Sequence, residues 1–529
     1  MSRGFWLLLA LAATAPFWSL GHPLVEVDDA RYSEIPREMV ASGQWATPHL
    51  NELDYVEKPP LWYWLSASSC KVFGVSEAAA RLPMALLAVL GLLGTAWLGA
   101  WLYDDKTGKT AALMLGTSGL YFFLSHYITP DLGLTVWLLW CSGLLLRAVL
   151  KPEDAAWAAP AAWAFAGLAF LSKGLIGIVF PILWAGALWL ILKESRSRFL
   201  ALLRPAGPLL FLIIAAPWFL LMEHRHPGFL RFFFYEHHVQ RFLTQKFNRS
   251  NPWYFFLLVL PAGLLPWAAS ILGGIIRSFS DRRGLALAAW AALVTAFFST
   301  SQSKLISYIL PVFPHLCILG AHALQEPAPK WLKRISAILG ILLLLAAAAA
   351  YPAARFIPAD VPHSPWLIAL AAAMLASLGT AMLCQSLDFK PLLTGALAGL
   401  ITGGLFLGGL NNAMSDLSCR ELAETVRSRQ KPGDLVYGYG IYLHGLPFYT
   451  GRRVDKLLNW RGELEYAARD ERILQERFGG EEAIRALPLP GKTVFVACRR
   501  RDVAYLLSLH SPNAARSVQV FGPWALLEY

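Results

Sequence analysis

Charge is scarce in this chain, and that scarcity excludes whole classes of protein. Only 15% of the 529 residues are Asp, Glu, Lys or Arg, whereas 56% are hydrophobic, and the mean hydropathy is +0.47. Ordinary soluble domains carry about 25% charged residues, and disordered chains are poor in hydrophobic ones. The composition therefore indicates a protein that places much of its surface against lipid.

Cysteine-based and glycine-based binding patterns are also scarce. Six cysteines are too few for a disulfide framework, and no spacing of cysteine and histidine is typical of a zinc site. In the tail 411–529 no glycine-rich phosphate loop follows a predicted strand, so we assign no nucleotide chemistry to that part of the chain.

Long apolar runs are what the chain has in abundance. Taken as spans of about 20 residues, they predict a polytopic α-helical membrane protein with about thirteen transmembrane helices. The predicted spans are residues 5–20, 79–103, 110–124, 132–150, 155–171, 174–192, 205–222, 252–276, 285–298, 305–324, 332–350, 365–384 and 392–410. We expect the first span to be retained rather than cleaved as a signal peptide, since the loop pattern requires an odd number of spans.

The distribution of Lys and Arg predicts the orientation. These residues concentrate in cytoplasmic loops, and here an excess of them falls on every second connection from Arg3 to Lys390. Arg31, Lys58 and the Lys and Arg residues after Arg225 lie on the opposite face and need a separate reason. We therefore expect a cytoplasmic N-terminus, with the loops 21–78 and 223–251 and the tail on the outer side. Most of the net charge of +11 then reflects orientation, and we expect no nucleic-acid partner.

The composition changes sharply after residue 410. We predict a transmembrane domain over 1–410 and a soluble α/β domain over 411–529, because the tail alternates strand and helix patterns and holds no run long enough to span. Its predicted strands are 435–439, 493–498, 517–521 and 525–529, and its predicted helices are 415–429, 463–478 and 501–509. Cys419 and Cys498 lie in this tail, where a disulfide and two buried thiols are alternatives.

The most unusual segment is the loop after the first span. In a chain that is otherwise poor in charge, it contains Asp28, Asp29, Arg31, Glu57 and Lys58. Residues 30–42 and 60–73 are amphipathic but too short to span, so we predict juxtamembrane helices. Such helices beside fixed charges suit a lipid-linked polar substrate, although individual aromatic residues here are equally typical of an interfacial belt.

Ordered motifs along the chain resemble one known family. They are Asp28-Asp29-Ala30-Arg31-Tyr32 with Glu57-Lys58-Pro59-Pro60, Asp131, Ser172-Lys173-Gly174, Glu236-His237-His238-Val239-Gln240-Arg241-Phe242, and Ser303-Lys304-Leu305-Ile306-Ser307-Tyr308. The chain resembles the bacterial aminoarabinose transferases that modify lipid A, which are GT-C glycosyltransferases related to protein O-mannosyltransferases. The resemblance covers the membrane region and implies thirteen spans followed by a periplasmic α/β domain.

The resemblance implies an integral membrane glycosyltransferase of the bacterial inner membrane. Such an enzyme moves 4-amino-4-deoxy-L-arabinose from undecaprenyl phosphate to lipid A at the periplasmic face, a lipopolysaccharide modification tied to polymyxin resistance. A related transferase acting on O-antigen, another polysaccharide or protein is the alternative. A lipid flippase or transporter would place charge near the bilayer midplane, whereas charge here concentrates at one interface. We expect a monomer that contacts only its donor, its acceptor and membrane lipids.

The resemblance also implies which side chains hold the donor phosphate. Lys58, Arg241 and Tyr308 match family positions that contact it, and Arg31 is a candidate helper. Fixed cations stabilise the negative charge that builds on a departing lipid phosphate. The alternative is that Lys58 and Arg241 only extend to lipid head groups. Lys173 and Lys304 belong to the matching motifs and are candidates for the substrate cavity.

Asp28, Asp29 and Asp131 are the candidate catalytic acids by the same resemblance. Asp28 would take a proton from an acceptor hydroxyl, or orient an acceptor phosphate and balance a positively charged sugar transition state. The family usually has Glu where this chain has Asp29. Asp28 and Asp131 are each also suited to cap a helix.

A divalent metal, zinc in some relatives, is the last implied feature. Glu57, His237 and His238 are its candidate ligands, since carboxylate and imidazole are typical zinc ligands. We expect that no cofactor is required. A protonated histidine that contacts lipid phosphate is the competing interpretation.

Overall fold

The chain divides into two compact units. The structure is a computed structural model, and it describes residues 1–240, 251–356, 365–509 and 515–529. The first unit contains Met1–Ser19, Met84–His126 and Pro130–Gly409, and the second contains Leu20–Pro83, Tyr127–Thr129 and Leu410–Tyr529. The loop after the first helix thus belongs to the same unit as the tail, and the predicted boundary at residue 410 stays a prediction.

The described residues form a multi-pass helical membrane protein. Nine helices are long and apolar enough to cross a bilayer, or ten if one bent pair is a single span. The nine are Glu77–Leu102, Pro130–Leu150, Pro152–Lys173, Ala206–Arg225, Arg282–Thr300, Ile306–Ala323, Lys330–Ala353, Pro365–Ser386 and Pro391–Asn412. The bent pair is Phe255–Gly263 with Ala268–Ser278, whose axes differ by 114°. Each corresponds to a predicted span, so the class is confirmed while the count of thirteen is not.

The other three predicted spans correspond to short or broken helices. Arg3–Phe17 and Ile176–Ile191 are apolar but fall below 18 residues, and residues 110–124 are split between Asp105–Gly116 and Gly119–Leu124. The split occurs at Thr117 and Ser118, whose hydroxyls donate hydrogen bonds to carbonyls one turn back and so compete with the backbone. A hydropathy window does not register such breaks.

The second unit begins with the two juxtamembrane helices that the sequence predicts. They run over Asp28–Ser42 and Leu61–Phe73, and a short antiparallel pair, His49–Leu50 with Leu53–Asp54, lies between them in sequence. The indole of Trp62 on the second helix donates a hydrogen bond to the carbonyl of Tyr32 on the first, at 3.0 Å. The two helices therefore pack against each other, and several aromatic residues of this segment are buried rather than arranged as a belt.

The tail of the second unit is a six-stranded mixed sheet with short helices. The strand order is Phe478–Gly479, Lys456–Leu458, Leu435–Tyr439, Val494–Arg499, Trp524–Glu528 and Ser517–Phe521. The first four strands are parallel and the last two are antiparallel to their neighbours. The helices are Met414–Leu417, Arg420–Arg429, Gly445–Thr450, Glu471–Arg477, Glu481–Arg485 and Val503–Ser508.

The α/β prediction for the tail is confirmed, although two predicted helices are broken and two short strands were missed. The predicted helix 415–429 is interrupted at Ser418 and Cys419, and the missed strands are Lys456–Leu458 and Phe478–Gly479. The predicted helix 463–478 is instead two short 3-10 turns, Gly462–Leu464 and Ala467–Arg469, followed by Glu471–Arg477. Asp470 ends the second turn and caps the helix by accepting from two backbone N–H groups, so the helix begins late. Cys419 and Cys498 are free buried thiols, which decides between the two alternatives for that pair.

Candidate functional site

Asp29 anchors the start of the helix Asp28–Ser42. Its carboxylate is fully buried and pairs with the guanidinium of Arg81, and it accepts backbone hydrogen bonds from Val25 at 3.0 Å and Ile128 at 3.1 Å. Arg81 also donates to three backbone carbonyls of residues 20–23. A buried carboxylate held by this many donors is fixed in place. Asp29 therefore sets the geometry in which its neighbour Asp28 is presented.

Asp28 is the more accessible of the two acids. Its side chain is 33% exposed and forms an ion pair with Arg31, one turn further along the helix. The cap residue of this helix is Val27, so Asp28 does not serve as the predicted N-cap. The guanidinium of Arg31 is 7% exposed and pairs through its other terminal nitrogen with Glu463. Asp28 is thus an accessible carboxylate whose position is fixed by a buried cation.

Glu463 comes from the tail and was not identified as a site residue from the sequence. Its carboxylate also lies 3.8 Å from Nε2 of His444, whose imidazole is buried. The backbone N–H groups of His444 and Gly445 donate to Glu26 at 3.0 and 2.8 Å, two residues before Asp28. The tail of this unit therefore supports the acidic motif from both sides. In the sequence, Glu463 stands out only as an acid at the start of the predicted helix 463–478.

A group of tyrosines lies beside Arg31. The rings of Tyr32 and Tyr63 stack at 6.1 Å, Tyr55 meets Tyr63 edge-on at 6.4 Å, and Arg31 lies 5.0 Å from the Tyr32 ring. Burial raises the pKa of Tyr55 and of Tyr63 well above the usual range, so both hydroxyls remain protonated donors. These tyrosines supply neutral hydrogen-bond donors in the segment that carries the acidic motif.

Glu57 and Lys58 follow Tyr55 in the same unit, and both are half-buried. The Nζ of Lys58 lies 3.4 Å from the carbonyl oxygen of Glu57, and a Glu57 carboxylate oxygen lies 3.5 Å from the Tyr55 hydroxyl. Both contacts are at the long limit of hydrogen bonding. The ammonium of Lys58 thus lies beside Glu57 in the loop that follows the acidic motif, and its role at the donor phosphate stays a prediction.

Glu34 and Glu38 form a buried acidic pair on the inner face of the same helix. Both oxygens of Glu34 accept from Arg37 at 2.7 Å, and Glu38 accepts from the backbone N–H of Glu52 at 3.0 Å. Burial raises the pKa of Glu34, and burial together with the nearby Glu34 raises the pKa of Glu38 well above its usual range. This pair makes the packing of the helix sensitive to pH.

Residues of the first unit build a second polar cluster. Asp131 is 4% exposed, pairs with Nζ of Lys173, and accepts a hydrogen bond from the hydroxyl of Ser307 at 2.9 Å. The Lys173 ammonium lies 4.1 Å from the centroid of the Tyr308 ring, within the range of a cation–π contact. Three separate helical segments thus bring together Asp131, Lys173 and Tyr308, which the sequence predicted singly, and add Ser307.

His238, one of the two histidines of the predicted metal site, has other partners. Nδ1 of His238 lies 2.7 Å from the carbonyl of Phe233, and Nε2 lies 3.3 Å from the carbonyl of Lys173. Gly174 adopts φ +76°, and a Cβ there would lie 2.5 Å from the imidazole, so only glycine fits beneath the ring. In the described ranges, His, Cys, Asp and Glu side chains form no group of three that would hold a metal. With both ring nitrogens directed at carbonyls, His238 does not fit the role of zinc ligand.

Lys304 and Arg241 complete the predicted set. The ammonium of Lys304 is buried and donates to the carbonyls of Asn251 at 2.9 Å and Ser301 at 2.5 Å. Burial lowers its pKa, and its observed contacts tie together the segment that precedes Tyr308. Arg241 lies outside the described residues. The roles assigned to these side chains from the resemblance stay predictions.

Comparison with known proteins supports the resemblance in sequence. A family model described as dolichyl-phosphate-mannose-protein mannosyltransferase matches residues 57–220. The undecaprenyl phosphate-alpha-4-amino-4-deoxy-L-arabinose arabinosyl transferase of Pectobacterium carotovorum is 31% identical over 348 residues, which cover 62% of this chain and 61% of that protein. The chain thus spans about three fifths of the length of the curated relatives it matches.

Solved structures extend the likeness to the whole chain. The crystal structure of ArnT from Cupriavidus metallidurans bound to undecaprenyl phosphate matches with a TM-score of 0.86 and 27% identity, over all of this chain and 98% of that one. The apo structure of the same protein gives a TM-score of 0.85 and 26% identity. The fold is therefore that of ArnT, with a helical membrane unit and a C-terminal sheet. The chain is an ArnT-like GT-C glycosyltransferase, so the resemblance to the aminoarabinose transferases is confirmed.

Proposed function

We propose that this protein transfers 4-amino-4-deoxy-L-arabinose from undecaprenyl phosphate to lipid A at the periplasmic face of the bacterial inner membrane. The observation that carries the proposal is the match over the whole chain to ArnT bound to undecaprenyl phosphate, and the sugar is taken from the names of the relatives in sequence. The accessible Asp28, held by an ion pair with the buried Arg31, supplies the carboxylate that the chemistry requires. The N-terminus lies on the cytoplasmic side and residues 411–529 in the periplasm, and the protein acts as a monomer.

The first part of the reaction is departure of the lipid phosphate. The bond between the sugar C1 and the phosphate oxygen breaks, and its electron pair leaves with undecaprenyl phosphate. Lys58 and Arg241 stabilise this growing negative charge, with the hydroxyl of Tyr308 as a hydrogen-bond donor. The contact between Lys173 and the Tyr308 ring fixes the orientation of that tyrosine.

The second part is attack on C1 by the acceptor. A lipid A phosphate is already anionic, so its oxygen forms the new bond to C1 without giving up a proton. Asp28 then orients the sugar and balances the positive charge that develops at C1 in the transition state. Asp29 acts as a positioning residue, because Arg81 and backbone N–H groups occupy its carboxylate.

We propose that transfer needs no divalent metal. A cation supplied to the site would act as a Lewis acid on the phosphate. Arginine and lysine carry out the same charge stabilisation, and the two nitrogens of His238 are directed at carbonyl oxygens. Glu57 then serves the site as a carboxylate near Lys58 rather than as a ligand.

The test is transfer by the purified protein in detergent, with donor and lipid A supplied and the lipid A product weighed by mass spectrometry. We expect a mass increase of one pentosamine, and a loss of about 100-fold or more in rate for Asp28→Asn and for Lys58→Ala. Asp105→Asn is the matched control, because the side chain of Asp105 is 82% exposed. Full activity of both site variants would refute the assignment of the site.

Lipids that co-purify with the protein distinguish the alternatives. A bound polyprenyl phosphate with unchanged lipid A would retain a transferase but move its acceptor to another glycan or to protein. A bound glycerolipid with no polyprenyl lipid would instead favour a flippase or transporter.

A further inference from the structure

The sheet of the second unit carries a cavity that the proposed reaction does not use. Its volume is about 490 Å³, within the range of about 300–1,000 Å³ typical of small-molecule sites. It opens where the parallel strands Lys456–Leu458 and Phe478–Gly479 end, and its lining includes the residues that follow each strand. Ligands of open parallel sheets bind at this place, outside the carboxyl ends of the strands.

Trp460 lines the cavity, and its indole is held in place by its neighbours. The indole of Trp460 is half-buried and packs against the ring of Tyr442, with centroids 5.5 Å apart. Gly462 has φ +42°, and a Cβ there would lie 2.2 Å from the indole, so the turn brings the backbone directly against the ring. Trp460 is therefore a preorganised surface, which lowers the entropic cost of binding a flat ligand.

The rest of the lining contains the apolar side chains of Leu474 and Phe478 and polar groups that carry both signs of charge. Arg461 is exposed and forms no ion pair with any residue that the structure describes. Glu482 accepts the backbone N–H of Gly480 at 2.8 Å, and backbone hydrogen bonds lower its pKa, so it stays ionised. Asn459, whose backbone N–H continues the ladder to Gly479 at 2.9 Å, lines the cavity beside them.

This combination selects a class of ligand. An apolar ligand would leave Arg461 and Glu482 unmatched, and a simple anion would leave the aromatic face unused. A sugar ring packs its C–H face on an indole and offers hydroxyls to carboxylate and amide groups. A phosphate on that ring matches the planar donors of a guanidinium.

We propose that this cavity binds a phosphorylated saccharide and acts as an accessory site for the phosphorylated sugar head group of the acceptor. The proposal rests on the proposed function for the identity of the acceptor. It assigns no chemistry to the cavity, because no bond is made or broken there. Binding at this site concentrates the acceptor on the protein and lowers its KM while leaving kcat unchanged.

The test uses the full-length protein in detergent and N-acetylglucosamine 1-phosphate as the probe, with binding followed by ligand-observed saturation-transfer NMR. We expect Trp460→Ala to raise the Kd of the probe about tenfold, which is equivalent to a loss of about 1.4 kcal/mol in binding free energy. Arg461→Ala should raise the Kd of the probe to a similar extent but leave the Kd of unphosphorylated N-acetylglucosamine unchanged. Arg472→Ala is the matched control, because that arginine is 84% exposed and does not line the cavity.

Two results would overturn the inference. One is a probe that does not bind saturably to the unaltered protein. The other is a probe that binds Trp460→Ala and Arg461→Ala as tightly as the unaltered protein. Trp460→Phe should retain binding, which separates loss of the aromatic face from loss of the fold.

The same measurement on Asp28→Asn separates this inference from the transfer reaction, since binding of the probe needs no turnover. Probe binding without modified lipid A would refute the transfer proposal and leave a saccharide site. Modified lipid A without probe binding would refute the saccharide site and leave the transferase.

Discussion

The ion pair of Asp131 and Lys173 gives the sharpest test of the geometry, because its two side chains come from different helices and are nearly buried. Their exposed fractions are 6% and 13%. The perturbation is a double-mutant cycle of Asp131→Asn, Lys173→Met and the two together. The cycle isolates the interaction of the pair from what each side chain does alone.

The contacts set the expected magnitudes. Lys173→Met removes the cation that pairs with the buried carboxylate of Asp131, so we expect unfolding to be easier by about 3–5 kcal/mol. Asp131→Asn leaves the Lys173 ammonium in contact with the Tyr308 ring, which is worth about 0.5–2 kcal/mol. The loss of unfolding free energy for this variant should therefore be about 3 kcal/mol, at the lower end of the range for Lys173→Met. The double variant buries no unpaired charge, and a coupling energy of about 2–3 kcal/mol should result.

Unfolding by sodium dodecyl sulfate in mixed micelles, followed by tryptophan fluorescence, measures these differences. The exposed pair Asp105 and Lys109 is the control, and Asp105→Asn with Lys109→Met should give a coupling below about 0.5 kcal/mol. Additive effects at Asp131 and Lys173 would refute the reasoning, because they would mean that the two charges do not sense each other. A transfer assay on the same variants reports whether the pair also fixes Tyr308.

Two further perturbations probe the second unit. Arg81→Ala leaves the fully buried carboxylate of Asp29 without its cation and should cost about 3–5 kcal/mol in chemical denaturation, with part of the loss recovered when Asp29→Asn is added. Burial raises the pKa of Glu38 and of Glu34, so the folded protein binds these protons more tightly than the unfolded chain does. Their contribution to stability therefore falls as pH rises above the ordinary carboxyl value of about 4.5. Glu38→Gln should raise the unfolding temperature at pH 7 and flatten its dependence on pH, whereas Glu424→Gln at an exposed position should do neither.

The transmembrane class and most individual spans were predictable because hydropathy records what lipid requires of each segment separately. The predicted strands Leu435–Tyr439 and Ser517–Phe521 agree with the structure for a similar reason, since each has a strand pattern bounded by turn residues. The helix predicted over 463–478 failed because Asp470 caps a new helix in its middle. The missed breaks at Thr117 and Ser118 likewise depend on side-chain hydrogen bonds that composition does not record.

The candidate site residues were also predictable one by one, whereas their pairing and burial were not. The sequence identified Asp28, Arg31, Asp131, Lys173 and Tyr308 as candidates, and the structure pairs Asp28 with Arg31 and Asp131 with Lys173. The sequence did not distinguish the accessible Asp28 from the buried Asp29, because two neighbouring aspartates look alike until their burial is known.

The sequence alone determined a charge-poor chain that lies in lipid, the outline of a soluble α/β tail, and a set of ordered motifs with their family resemblance. Those properties are local, because they depend on which residues follow one another. Three features became visible only in three dimensions. Arg81 pairs with the carboxylate of Asp29, Glu463 pairs with Arg31 from more than 400 residues away, and Trp460 lines a cavity. Each of these depends on burial and on distances between residues far apart in the chain, and electrostatic pairing and packing follow those distances rather than sequence separation.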